Sequence, residues 1–314
     1  MSRSNPMPPT INIAGLLRAP DSATTEAAEA IHAACLDTGF FIVTGHGLDA
    51  EIDSLFDAAR AFFALAPEVR ERTPRNGRYG YIPHRRTAID QSRASDNTEY
   101  LDIGLGDEIE LPAVEGFTPA VRTYQAAAVT VAATLLRTLS VGLGTDPDYF
   151  ADRMVHPQCR LRLLHYPEVE PGPDGRLPVP NAPHTDYGLI TLLATDGVPG
   201  LEVKPIDLDW TPVVAPRGSL VINLGDMLAR WTNDRYRSTP HRVVGPARGD
   251  RISIPFFINP DPSTMVDCIP SCLGTGERPR YQPVTAGDFL ASRIDGTTEP
   301  YVNPTDGPIR RVSR

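Results

Sequence analysis

With 314 residues, of which 41% are hydrophobic and 22% charged, the chain has a globular composition and enough apolar material for a sizeable core. A formal net charge of -9 argues against nucleic acid or an anionic membrane as the main partner, since both need a basic surface, although a local basic pocket remains compatible with it. No run approaches the roughly 18 to 20 uninterrupted apolar residues that span a bilayer, and residues 1–9 lack the apolar core of a signal peptide, so a cytoplasmic protein is expected.

In chain order, residues 10–13 read as a short strand. Ser22 or Thr24 can cap a first helix whose apolar positions Ala27, Ala28, Ile31, Ala34 and Cys35 fall at helical spacing, with Gly39 just past its end. A strand over 40–44 follows. Asp49 then caps a second helix, with Ile52, Leu55, Phe56, Ala59 and Phe62 on one face and Pro67 beyond. Between residues 74 and 96 the periodicity is lost, and Tyr79, Tyr81, His84, Arg85 and Arg86 gather in a loop that either covers a site or is a solvated connection. A long helix over 119–143, with Tyr124, Ala128, Val131, Leu135 and Leu139 facing inward, is expected across the outside of a sheet.

Past Tyr149 the chain reads as short strands over 160–166, 187–193, 201–203, 219–224, 242–244 and 251–258. Gly/Pro turns separate them with no helices between, which indicates antiparallel β structure, a sandwich or jelly roll. No internal repeat or linker divides the chain, so one domain is expected. The four cysteines (Cys35, Cys159, Cys268, Cys272) form neither a disulfide scaffold nor a C-x-x-C pair and are read as reduced thiols.

The chemistry concentrates in Asn181-Ala182-Pro183-His184-Thr185-Asp186-Tyr187-Gly188, where a Pro-rich approach meets an apolar, β-branched run. His184 and Asp186 are read at the start of a buried strand, where residues i and i+2 face the same way. They would supply two of the three ligands of a 2-His-1-carboxylate iron site. His241, heading Arg242-Val243-Val244, offers the second imidazole. Arg251 and Ser253, again on one strand face, would present a guanidinium fork beside a hydroxyl to a carboxylate.

The order H-x-D, distal His in an H-R-V context, then R-x-S resembles the isopenicillin N synthase-like branch of the Fe(II)/2-oxoglutarate-dependent oxygenases. Two upstream segments are similar to that family's signatures: Gly39-Phe40-Phe41-Ile42-Val43-Thr44-Gly45-His46-Gly47 and Thr98-Glu99-Tyr100-Leu101-Asp102-Ile103-Gly104. The resemblance implies an α+β, mainly β fold: a double-stranded β-helix (jelly roll) core over 151–260, a flanking helical N-terminal part over 1–150, and a C-terminal extension over 261–314. It further implies Fe(II) held by His184, Asp186 and His241, with 2-oxoglutarate and O2 filling the three remaining positions and ascorbate as an auxiliary reductant. Arg251, Ser253 and Tyr166 would hold the distal carboxylate. Leu164 stands where many relatives carry Asn, a departure that bears on those contacts. The implied activity is oxidation, foremost hydroxylation, of a small molecule such as an amino acid or natural-product intermediate, with release of succinate and CO2.

For the substrate, Arg162 shares a strand face with Leu164 and Tyr166 and either meets a substrate carboxylate or forms a structural salt bridge. Tyr79, Tyr81, Arg85 and Trp231 are further candidates, each with packing or surface as its alternative. Two other functions stay open at this point: an Fe(II) oxidase that does not consume 2-oxoglutarate, and a non-catalytic jelly-roll protein holding another divalent metal.

Overall fold

The computed structural model describes residues 7–18, 26–73, 77–83, 98–106, 110–168, 170, 175, 180–246 and 248–294. Its central strands are apolar on both faces, because each side of the sheet they form is covered. In β2 (Phe40–Thr44), Phe40 and Ile42 join one hydrophobic cluster while Phe41 and Val43 join another.

β2 belongs to an eight-stranded sheet. Its spatial order is β1 (Thr10–Asn12), β2, β10 (Leu220–Leu224), β7 (Ile190–Thr195), β12 (Arg251–Ile258), β5 (Arg160–Tyr166), β4 (Glu99–Gly104) and β3 (Gly80–Ile82). A four-stranded sheet follows the order β6 (Asn181–His184), β11 (His241–Val243), β8 (Leu201–Val203) and β9 (Thr211–Pro212). Every pairing in these two sheets is antiparallel except β1 with β2. The smaller cluster joins the two sheets: Phe40, Ile42, Leu164, Tyr166, Leu193 and Val221 from the large one meet Leu201, Val203 and Val243 from the small one. This is the expected jelly roll.

The larger cluster fills the space between the other face of the large sheet and the helices α2 (Glu26–Asp37), α3 (Asp49–Phe63) and α5 (Phe117–Gly142). Tyr124 of α5 lies 6.2 Å, ring centroid to centroid, from Phe256 of β12, so α5 crosses the outside of the sheet as its periodicity indicated. By length and composition α5 could cross a bilayer. Its apolar stripe, Val121, Tyr124, Ala128, Val131, Leu135 and Leu139, is instead buried against the core and the neighbouring helices.

Several boundaries differ from the sequence reading. Asp49 begins α3, but the cap residue is Leu48 and no side chain caps it. Ser22 and Thr24 lie outside the described residues. The region read as pattern-free after residue 73 contains β3, which pairs with β4. Short helices α1 (Ala14–Arg18), α4 (Pro67–Arg70) and α6 (Asp226–Trp231) were not foreseen, because four to six residues carry too little periodicity to register. Past residue 260 the described chain forms a hairpin of β13 (Met265–Val266) and β14 (Val284–Thr285) and a helix α7 (Ala286–Ile294) that returns to the jelly roll.

Candidate active site

The segment from 181 to 195 is two strands, where the sequence reading had one beginning near Tyr187. His184 ends β6 in the small sheet, and Asp186 sits in the connection to β7 of the large sheet. The two side chains therefore converge across a crossover between sheets rather than along one strand face. His241 heads β11 directly opposite His184 in the ladder. Their rings lie 4.3 Å apart, and Asp186 Oδ1 stands 4.0 Å from His184 Nε2 and 3.8 Å from His241 Nε2. Suitable ligand atoms of all three lie within 4.8 Å of one another.

The surroundings fix which atom each residue offers. His184 Nδ1 is 2.8 Å from the Ala182 carbonyl and His241 Nδ1 is 3.2 Å from the Thr239 carbonyl. A carbonyl can only accept, so each Nδ1 carries a proton and Nε2 is the nitrogen each ring can turn to a metal. Asp186 Oδ2 accepts hydrogen bonds from Thr191 Oγ1 (2.5 Å) and Asn223 Nδ2 (2.7 Å), which leaves Oδ1 facing the imidazoles. Burial, then the charge of neighbouring His241, pushes the His184 imidazole down to about 4, so it is neutral near pH 7. Burial opposes ionisation of Asp186, but the flanking imidazoles and the two hydrogen bonds hold its carboxyl below the ordinary range. Two imidazole nitrogens and one carboxylate oxygen on one side of a point suit Fe(II) and leave positions free for other ligands.

The connecting turn is held from α6. The Asp226 N–H donates to the Asp186 carbonyl (2.8 Å), while the Asp226 carboxylate accepts from Thr185 and Ser238 and pairs with Arg293 of α7. A side chain at Gly225 would place its Cβ 2.2 Å from the Gly188 carbonyl oxygen, so only glycine permits this approach.

The cluster opens on a cavity of about 900 Å³. Arg251 and Ser253 of β12 and Tyr166 of β5 all line it. The Arg251 guanidinium is 1% exposed and stacks 4.9 Å from the Tyr166 ring centroid; its Nε donates to the Val198 carbonyl (3.2 Å). Its Nη1 has no hydrogen-bond partner, and no carboxylate among the described residues pairs with it. A buried cation at the wall of a cavity is costly without an anion, and the distal carboxylate of 2-oxoglutarate, with the Ser253 hydroxyl alongside, fits it. The large sheet brings Leu164 opposite Ser253, so an apolar side chain borders this carboxylate site where many relatives have an amide.

The remaining sequence candidates divide. Arg162 lines the cavity but is engaged: it forks onto Asp102 through Nε–Oδ1 (2.6 Å) and Nη2–Oδ2 (2.7 Å) and stacks on Tyr100 at 4.0 Å. Tyr79 lines the cavity. Tyr81 does not. It is 4% exposed, donates its hydroxyl to Glu99 and accepts from Arg70, because strand alternation in β3 turns it into the helix-side core. Trp231 is likewise removed from the cavity, fully buried on α6 with its indole N–H on the Tyr149 hydroxyl (3.1 Å). Arg85 lies outside the described residues. His46, in the N-terminal signature, is no ligand: Nε2 donates to the Gly218 carbonyl (2.7 Å) and Nδ1 accepts the Leu48 N–H (3.0 Å). Sequence reasoning missed Thr191 and Asn223. Their signal was a polar residue in the middle of each of two apolar strands, and only the cross-strand register shows the two paired.

A jelly roll with a two-His-one-carboxylate cluster and a buried arginine lining the same cavity has the character of a non-haem iron enzyme. The model of the 2OG-Fe(II) oxygenase superfamily matches residues 157–260, and that of the non-haem dioxygenase in morphine synthesis N-terminal family matches residues 8–119. The chain is 30% identical to the 2-oxoglutarate-Fe(II) type oxidoreductase hxnY of Emericella nidulans, over 90% of this chain and 88% of the relative. It is 32% identical to the 2-oxoglutarate-dependent dioxygenase citB of Monascus ruber, over 80% and 84% of the two chains. Among solved structures, a full-length Neurospora crassa protein in complex with alpha-KG and thymine superposes with a TM-score of 0.84 at 28% identity, covering 95% of this chain and 99% of that one. The chain belongs to the 2OG-Fe(II) oxygenase superfamily. It is a 2-oxoglutarate-dependent dioxygenase that uses Fe(II) and acts on a small molecule.

Proposed function

We propose that His184, Asp186 and His241 hold the iron, that Arg251 and Ser253 orient 2-oxoglutarate, and that the enzyme hydroxylates a C–H bond of its substrate. The observation that carries this is the buried Arg251 guanidinium, without a hydrogen-bond partner at Nη1, lining the same cavity as the three convergent ligands. Iron with 2-oxoglutarate and O2 supplies the oxidation: one oxygen atom enters the substrate C–H bond, and the other enters succinate as CO2 leaves. The chain's own residues do the rest. The Ala182 and Thr239 carbonyls fix both imidazoles, and Thr191 and Asn223 restrict Asp186 to one free oxygen. Arg251 fixes the far end of the co-substrate, while Leu164, Leu193 and Val243 exclude water from its carbon chain.

Anaerobic titration with Fe(II) and then 2-oxoglutarate tests the assignment through the visible metal-to-ligand charge-transfer band. The band is expected in the wild type, absent in His184→Ala, and shifted to much higher 2-oxoglutarate concentration in Arg251→Ala. A band that survives unchanged in Arg251→Ala would remove Arg251 from the co-substrate site.

A further inference from the structure

We propose that the substrate is a small organic acid whose carboxylate is bound by Arg160, at the end of the cavity away from Arg251. The inference rests on the oxygenase reading of this cavity and adds the class of molecule it takes.

The protein carries a net charge of -9, yet four arginines line the cavity, Arg78, Arg160, Arg162 and Arg251, against a single described carboxylate, Asp186. Two of the four are committed. Arg251 faces the co-substrate, and Arg162 is forked onto both oxygens of Asp102. The Arg160 guanidinium has only a longer contact to one of those same carboxylate oxygens, 3.7 Å to Asp102 Oδ2, and makes no hydrogen bond to the described residues. Burial, then the like charge of Arg162, pulls its pKa below the usual arginine value, and Asp102 only partly offsets them. Two guanidiniums crowd one carboxylate, so a second anion would relieve the repulsion.

Strand register places this cation relative to the reaction centre. Arg251 pairs with Tyr166 across the β12–β5 ladder, whereas Arg160 pairs with Phe257, six residues along, which is about 20 Å on a strand. Phe257 in turn pairs with Thr191, whose hydroxyl holds Asp186. Arg160 is thus in the row of the metal carboxylate, with the cation for 2-oxoglutarate far along the same face. The Arg160 guanidinium lies 4.8 Å from the Phe257 ring centroid, and Tyr100 and Pro255 extend that apolar wall. An acid with an aromatic or short aliphatic body fits both features: its charge meets Arg160, and its carbon skeleton lies on Phe257 beside the iron ligands.

Calorimetry on the protein loaded with Fe(II) and 2-oxoglutarate, without O2, tests this with phenylacetate, cinnamate and hexanoate against their amides. At least one acid is expected to bind about ten- to hundredfold more tightly than its amide, the worth of a charge-assisted hydrogen bond. Arg160→Gln should abolish that preference, and Arg160→Lys should keep part of it. An unchanged melting temperature and an unchanged charge-transfer band in Arg160→Gln show that the variant is folded and loaded. Equal binding of acid and amide, no binding of any acid up to millimolar concentration, or a preference that survives in Arg160→Gln overturns the proposal. The parent reading fails separately, by loss of the band in the wild type, because the acid-over-amide comparison is also read on the metal-free protein.

Discussion

Asp186 can offer one oxygen to a metal because its other oxygen is already occupied by Thr191 and Asn223. Removing such an outer hydrogen bond releases the carboxylate to rotate or to bind through both oxygens, and this generally costs about 10- to 100-fold in metal affinity. Asn223→Ala should therefore weaken Fe(II) binding by about that factor while the fold stays intact, as an anaerobic Fe(II) titration followed by far-UV circular dichroism will report. An Asn223→Ala protein with wild-type iron affinity would show that Thr191 alone suffices. At this scale the sequence showed the ligand types, and it showed Arg162 facing inward. Which Arg162 partner prevails depends on Asp102, which β4 brings opposite it in the ladder.

Among the elements, β5 turns Arg160, Arg162, Leu164 and Tyr166 to the cavity and Leu161, Leu163 and His165 to the helix side. There His165 stacks on Phe63 and lies between two carboxylates, Nδ1 to Glu99 Oε1 at 2.8 Å and Nε2 to Asp250 Oδ2 at 2.9 Å. Burial by itself would lower its pKa, but the hydrogen bonds and charges of Glu99 and Asp250 outweigh burial and raise it above 6.5. The two acids are held below their ordinary values, against the opposing effect of burial, by His165 and their other partners. The histidine contribution is therefore complete below the unfolded pKa and lost as pH rises through the folded one; the acids' contribution is lost as pH falls. His165→Gln should cost more stability near about pH 5.5 than near about pH 8.5, measured by urea unfolding at both. On α6, Trp231 is fully buried between Tyr149 and Phe150, so Trp231→Ala should cost about 3–5 kcal/mol in the same experiment. Trp231→Phe should fold and keep its 2-oxoglutarate band. A Trp231→Phe protein of normal stability without the band would return this residue to the site.

Across the whole molecule, the site is shared between sheets: His184 and His241 come from the small one, Arg251 and Ser253 from the large one, and Asp186 from the crossover. Ligands that touch both sheets bind the folded state only, and a hundredfold excess over Kd stabilises it by about 2.7 kcal/mol for each. Thermal melts should rise on adding Fe(II), rise again with 2-oxoglutarate, and fall back on chelation. Arg251→Ala should keep the first increment and lose the second.

The sequence by itself indicated antiparallel β structure, and its resemblance to the oxygenase family selected the jelly roll, the candidate ligands His184, Asp186 and His241 and the Arg251–Ser253 pair, because the spacing and order of chemical groups are local properties. Tertiary structure decided what depends on partners distant in the chain. It moved His184 and Asp186 from one strand to a crossover between two sheets, and it paired Thr191 with Asn223 behind the carboxylate. Tyr81 and Trp231 went to packing for the same reason, since the face of an element shows only once its neighbours are in place. It also committed Arg162 to Asp102 and left Arg160 open toward the cavity: two arginines of one strand face are alike in sequence, and the register of the adjacent strand separates them.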